Sequence, residues 1–309
     1  LALDKDQLIY TSNIFAGAYG VSGNSYFVKD DGTVAFGPYE DAYKDFLTQM
    51  HAWYEAGFIN PDFASQDTDS IMSMAAGDRI GSTLIHLYTY GVTYFVTTEG
   101  ENPDKVMVAA PMPVLNEGDT RNLRTSSRSL GDYKYITADA ENKDACIALL
   151  DALYLEDIDL MMANGIEGVG YTMEDGAPVQ AALSADASKE VRLGSCPQQW
   201  HAYEDTDLNY ILTKKYNKGC QDEALELWKT EGTSGSISNF IMYNTEESET
   251  RSTYNSDVST AVEEWVMKFI TGQEPIDKFD EFREILKNEG HIEELIAIQQ
   301  SAMDRYDAR

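Results

Sequence analysis

The stretch 260–309, TAVEEWVMKFITGQEPIDKFDEFREILKNEGHIEELIAIQQSAMDRYDAR, constrains the fold more than any other because it spells successive helices together with their stops. One helix carries Phe269 and Ile270 to Thr271 and Gly272, a short acidic helix follows and reaches Gly290, and a last one runs through Gln300, Ala302, Arg305 and Tyr306 to Arg309. Glycine just past a periodic segment supplies the left-handed residue with which helices commonly end. The chain therefore closes in a helical C-terminus, with the apolar pattern running from Val258 onward.

The same punctuation recurs upstream. Pro38 opens and Gly57 closes a segment in which Tyr43, Phe46, Leu47, Met50, Trp53 and Tyr54 fall at helical spacing. Asn60, Pro61 and Asp62 break the chain, Asp67 offers an N-cap, and a short helix through Ile71, Met72 and Met74 ends at Gly77 ahead of a strand-like run over 80–87. Short strands are expected at 106–110, stopped by Pro111 and Pro113, and at 130–136. A helix carrying Cys146, Ile147, Leu149, Leu150, Leu153 and Tyr154 continues toward Met161 and Met162 and leads into glycine-spaced Gly165, Gly168 and Gly170. Further helical patterns fall at 208–216 and 225–228, and 181–195 reads as a surface excursion.

A length of 309 residues accommodates about two domains, and a 43% hydrophobic content is that of a globular protein with a core. With 53 acidic and 23 basic side chains the formal charge is −30, a field that repels phosphate backbones and anionic lipid, so nucleic acid is excluded as a partner. No run approaches the roughly 20 apolar residues that span a bilayer. Cys146, Cys196 and Cys220 have neither disulfide-scaffold density nor metal-binding spacing; Cys146 is expected as a small buried hydrophobe, and pairing of Cys196 with Cys220 stays open.

Motifs for catalysis fail on geometry. His51, His86, His201 and His291 are too scattered for a metal-binding helix, so no metal is expected. Gly20, Ser22 and Gly23 lack the spacing of a nucleophile elbow, as do Gly232, Ser234 and Gly235. Gly165, Gly168 and Gly170 reverse the dinucleotide fingerprint and follow a helix where a strand is required, so no cofactor is expected. Among 53 carboxylates some pair always lies at glycosidase separation, which promotes none of them; no catalytic residue is assigned.

The positive signal is aromatic. Nineteen tyrosines and four tryptophans, many in loops, suit a site that stacks apolar sugar faces while polar tips bind hydroxyls. Tyr88 and Tyr90, with Tyr94, form one cluster and Trp200, His201 and Tyr203 a second, whereas Trp53, Trp228 and Trp265 lie at helical spacing and read as core.

These residues together carry a resemblance. The tail, PYEDAYKDFLTQMHAWYEAGFINPDF at 38–63, MAAGDRIGSTLIH at 74–86, the segments 110–113, 132–136 and 143–164, and NGIEGVGYTMEDGAPV at 164–179 resemble, in that order, the lipoprotein-type family 1 extracellular solute-binding proteins of ABC importers. The resemblance implies an α/β fold, a two-lobed, type II periplasmic-binding-protein-like clamp with interleaved lobes and a helical C-terminus. Segment 1–108 would belong to the second lobe, 109–168 to the first, and 169–309 mainly to the second. Nothing matching the family's usual N-terminal segment and lipid-anchored cysteine precedes Leu1, so the first lobe is expected to be incomplete.

The implied function is non-catalytic: capture of a sugar or oligosaccharide between lobes and delivery to ABC permease subunits, by a monomer tethered outside the cell through a lipid anchor. Candidate ligand contacts are Tyr19 and Asn24 in the first loop, His86, Tyr88 and Tyr90 in the aromatic loop, Arg124 and Arg128 in a polar loop, and Trp200 and Tyr203. The two arginines keep a rival in view, the same fold holding a peptide or a charged small molecule. A secreted glycoside hydrolase and a lobed adhesion or receptor module are the other readings.

Overall fold

The computed structural model describes residues 1–4, 13–84, 108–120, 134–155, 157–158, 160–161, 165–174, 176–180, 221–230, 235, 237–238 and 240–309. Contacts divide the chain into two units, one built from Leu1–Ser129 and Glu223–Arg309, the other from Leu130–Asp222.

The first unit grows from the two segments whose periodicity is clearest. Helix α2 (Asp41–Glu55), which follows the short α1 (Asn13–Ala16), buries Tyr43, Phe46, Leu47 and Met50, one stripe at i, i+3, i+4 and i+7. Residues 68–76 form α3 (Thr68–Ala76), whose cap is Asp67: its carboxylate accepts from the Ser70 N–H at 2.9 Å and from the Ser70 hydroxyl at 2.6 Å.

The C-terminal helices close over α2. In the second unit lies α4 (Lys143–Ala152), and α5 (Gln221–Thr230) belongs to the first from Glu223 onward; the long α6 (Thr245–Thr271) then turns Val258, Val262, Trp265, Val266, Phe269 and Ile270 onto α2. Helix α7 (Phe279–Asn288) adds Phe279, Phe282 and Leu286, and α8 (Ile292–Asp307) adds Ile292, Leu295 and Ala302. Trp265, Phe269, Phe279 and Phe282 form one aromatic cluster, the Trp265–Phe269 centroids lying 5.4 Å apart and Phe279–Phe282 5.8 Å apart. Gly272 ends α6 with φ +73, and a Cβ there would meet the His51 ring at 2.8 Å while that ring contacts the Ile270 carbonyl at 3.0 Å. Glycine is thus required twice at that stop, for its backbone angle and for the approach of α2.

Trp265 joins the core as expected and Trp53 packs against it. Trp228 is half-buried instead, its indole N–H donating to the Ala110 carbonyl at 3.0 Å and tying α5 to the extended 108–114 segment. Expected strands are shorter than their patterns. Of 80–87, the described part makes a single bridge, Ala2 with Thr83, and the described parts of 106–110 and 130–136 are irregular. Strands occur where the sequence is too brief to alternate visibly: β1 (Tyr26–Val28) pairs antiparallel with β2 (Val34–Phe36). In the second unit β3 (Tyr171–Glu174) pairs with β4 (Ala177–Gln180) through Gly176, φ +81.

Helix α4 corrects an expectation. Asn142 caps it, accepting from the Ala145 N–H at 3.0 Å, but it buries no residue. Cys146 is only half-buried, and Ile147 and Leu149 are 48% and 67% exposed. The periodicity read there is that of a helix; burial needs a partner surface that spacing alone does not specify.

The start of α6 is tied to α8. Asn244 and Glu247 form a capping box, and Arg305 grips the Glu247 carboxylate with both terminal nitrogens, at 2.8 and 2.6 Å. Those bonds, and secondarily the Asn244 N–H, hold the Glu247 carboxyl below its ordinary 4.5, with desolvation opposing them. A depressed acid stabilises the fold above its unfolded pKa and loses that contribution as pH falls through its folded one. Thermal melts of the natural chain and Arg305→Met should therefore differ most at neutral pH and converge as pH drops below about 4.5. A gap that stays constant from pH 7 to pH 3 would remove this tie from the stability account.

Candidate ligand site

The first candidate loop is built on a floor of core residues. Helix α1 passes into a 3-10 turn, Gly17–Tyr19, that Gly20 ends with φ +74, its N–H donating to the Gly17 carbonyl at 3.0 Å. The Tyr19 ring lies edge-on to Phe46 of α2, centroids 6.1 Å apart, so one side of it rests on the core. Burial, then the Asp45 charge, raise the Tyr19 phenol above its ordinary pKa, which keeps it a hydrogen-bond donor at neutral pH.

Beyond Gly20 the backbone turns inward. Ser22 is fully buried and its hydroxyl donates to the Ser25 carbonyl, closing a tight loop whose tip is Gly23 and Asn24. The second strand's exit packs directly on that loop: a Cβ at Gly37 would stand 1.9 Å from the Ser22 carbonyl oxygen. Asn24 remains half-buried. Among the described residues nothing hydrogen-bonds the Tyr19 hydroxyl or the Asn24 side-chain amide, so both present unspent donors and acceptors from a backbone held rigid beneath them.

Tyr19 and Asn24 are thus brought onto one turn. His86, Tyr88, Tyr90, Arg124, Arg128, Trp200 and Tyr203 lie outside the described residues, as do Cys196 and Cys220. Among the described residues no cluster of His, Cys, Asp or Glu could hold a metal ion, and no helix is long and apolar enough to cross a membrane.

Among the described residues of the first unit, two cavities stand out. The larger, about 550 Å³, lies between α6 and α7 around Trp265. Its Lys268 ammonium is paired with Glu264 and sits 5.2 Å from the Trp265 ring centroid, so its one cation is already matched by its own wall. The smaller, about 340 Å³, begins at Tyr26, two residues past Asn24. The Val28 N–H donates to the Gly235 carbonyl at 2.9 Å, which lays Ile237, Ser238 and Ile241 beside β1, and Tyr243, Arg251 and Gln299 complete the wall. Burial pushes the Tyr26 phenol up strongly, against the pull of Arg251. Sequence reading singled out none of these wall residues, because they come from a three-residue strand, a loop and two helices that only the packing of α8 unites.

No family model matches the chain, and no curated protein matches it in sequence. Solved structures do match. The alginate-binding protein AlgQ2, crystallised without calcium ion, superposes with a TM-score of 0.73 at 17% identity, over 98% of this chain and 63% of its own. The S. pneumoniae ABC-transporter substrate-binding protein FusA, in complex with kestose, gives 0.67 at 16% identity over 96% of this chain and 60% of its own. An HMO-binding, ABC-transporter-associated solute-binding protein from Bifidobacterium longum infantis gives 0.66 at 16% identity, over 95% and 61%. The chain has the periplasmic-binding-protein-like fold of these α/β solute-binding proteins, with the helical C-terminus expected from its tail, and it spans less than two thirds of the length of each.

If the turn is scaffold and its two polar tips are not, stability should separate them. Gly37→Ala should cost roughly 1–3 kcal/mol through the clash with Ser22, and Ser22→Ala about 1 kcal/mol through its lost hydrogen bond. Asn24→Ala should stay within about 0.5 kcal/mol. Denaturant unfolding of the three variants tests the order, and an Asn24 effect as large as that of Ser22 would make Asn24 part of the scaffold.

Proposed function

We propose that this protein is a non-catalytic, extracellular solute-binding subunit of an ABC importer that captures a sugar or oligosaccharide and delivers it to permease subunits. The observation that carries the reading is the likeness of nearly the whole chain to carbohydrate-binding members of that fold, 98% of it in the case of AlgQ2. The alginate, kestose and HMO bound by those neighbours share a polyhydroxylated surface, the chemistry that phenols and side-chain amides recognise.

Within this reading Tyr19 and Asn24 are ligand contacts. Their unspent hydrogen-bonding groups stand on a turn fixed by Ser22 and Gly37, so little order has to be created when a hydroxyl docks. His86, Tyr88, Tyr90, Arg124, Arg128, Trp200 and Tyr203 are proposed as further contacts on the basis of sequence alone, and the lobe division 1–108, 109–168 and 169–309 likewise. Cell-surface tethering by a lipid anchor and action as a monomer complete the proposal.

A thermal-shift panel of mono- and oligosaccharides, amino acids and peptides on the full-length protein tests it. A cargo present at 100 times its Kd adds about 2.7 kcal/mol to the folded state, visible as a rise of a few degrees. A selective saccharide hit whose affinity falls roughly 5- to 10-fold in Asn24→Ala, the loss of about one hydrogen bond, is the expected result. A selective peptide or amino-acid hit overturns the cargo, silence across the panel overturns the importer reading, and turnover of a chromogenic glycoside that survives repurification overturns the non-catalytic one.

A further inference from the structure

The cavity beside Tyr26 contains a hydrogen-bond imbalance that the fold itself does not resolve. Gln299 is only 4% exposed. Its side-chain oxygen accepts from the Tyr243 hydroxyl at 2.6 Å and from Arg251 Nη1 at 2.7 Å. A guanidinium can only donate, so the amide must present its oxygen to Arg251, and its nitrogen faces a wall whose other polar groups include the Ser238 hydroxyl, itself accepting from the Phe240 N–H at 3.2 Å. Among the described residues no acceptor meets that nitrogen. A buried donor without an acceptor ordinarily costs more than a hydrogen bond contributes, so natural structures rarely leave one unmet.

The adjacent glutamine shows what a satisfied one looks like here. Gln300 accepts from the Val34 N–H at 2.6 Å and donates to the Gly32 carbonyl at 3.4 Å and to Asp304 at 2.8 Å, clamping the β1–β2 hairpin to α8. Gln299, one position earlier and facing the cavity, uses its acceptor and leaves its donors.

Arg251 compounds the imbalance. Its guanidinium carbon lies 3.7 Å from the Tyr243 ring centroid, and its one hydrogen-bond acceptor among the described residues is Gln299. The carboxylate nearest in sequence that senses its charge, Glu247, is held by both terminal nitrogens of Arg305 and by the Asn244 N–H. The wall therefore carries a cation whose ion-pairing capacity is unspent, in a chain whose formal charge is −30. Tyr26, Ile237 and Ile241 supply an aromatic and aliphatic side to the same 340 Å³ space.

From this we infer that the cavity is a binding site for a small carboxylate-bearing molecule. The carboxylate would accept from the Gln299 amide and the Arg251 guanidinium, and its carbon body would lie against Tyr26 and the two isoleucines. The inventory is donor-rich and positive, which selects an anion over a neutral sugar of the same size. The site lies within the first unit and stands whether or not the importer reading does.

Isothermal titration of the full-length protein with D-glucuronate, N-acetyl-L-alanine and D-glucose at low ionic strength tests the inference. A carboxylate probe should bind at least tenfold more tightly than glucose. Glucuronate alone would identify an acidic sugar as the source, N-acetylalanine alone a peptide-like carboxylate, and both a carboxylate on any compact body. Gln299→Glu keeps acceptors for Tyr243 and Arg251 while removing the amide donors and neutralising the cation, so it should fold and lose at least tenfold in affinity. The amide resonance of Gln299 in the natural chain, identified by its absence from that variant, should move on titration with the bound carboxylate. Glucose binding as tightly as the carboxylates, no binding by either carboxylate, an unmoved Gln299 resonance, or a folded Gln299→Glu variant of unchanged affinity would each overturn the assignment.

Discussion

The packing of α6 on α2 is the interaction on which the described structure depends. It joins residues more than two hundred positions apart in sequence through Phe46, Met50, Trp265 and Phe269, and everything described as a site is hung from it. Each fully buried side chain of this kind contributes about 1.5–3 kcal/mol by removal from water, so the seam is the largest coherent source of stability in the first unit. Its geometry is set by small residues at the ends. Gly272 lets the His51 ring reach the terminus of α6, and Gly290, where a Cβ would stand 2.7 Å from Val258, lets the α7–α8 turn close against the same helix. The tail motif is thus a packing requirement: its glycines sit where helices approach too closely for any side chain.

Sequence was informative where periodicity is long. Helix α2 repeats its apolar stripe from Tyr43 to Tyr54, about three turns, and α3 announces itself by Asp67, so both were legible, as were the stops at Gly57, Gly77 and Gly272. Strands of three or four residues carry too few alternations to stand out from a loop, and β1, β2, β3 and β4 passed unread for that reason. Burial was misjudged at Cys146 because an apolar stripe specifies only that a helix has one face suited to contact. Whether that face meets a partner is a tertiary fact.

The candidate contacts divide along the same line. Tyr19 and Asn24 enter as first-loop candidates only through the family resemblance, and what supports them as contacts is the buried hydrogen bond of Ser22 and the close approach of Gly37, neither of which has a sequence signature. The Gln299 cavity was illegible altogether. Its cation comes from the acidic, solvent-looking run at the start of α6, its amide from mid-helix in α8, and its aromatic side from β1, so no local pattern joins them.

Electrostatics explain why the Gln299 cavity would matter in a protein of this charge. An excess of 30 negative charges lowers the chance that any anion lingers near the surface, and the effect is strongest at low ionic strength, where screening is weakest. A carboxylate can be held only where local donors outweigh that background, which requires a cation not already claimed by one of the many acids around it. Arg305 shows the usual fate of an arginine here, gripped by Glu247 from both nitrogens. That same grip is what leaves Arg251 unclaimed: by occupying Glu247, Arg305 turns a helix start rich in carboxylates into a place where one guanidinium still has capacity to spare. Fold stability and anion selectivity at this corner therefore rest on one ion pair, and the two are inseparable there.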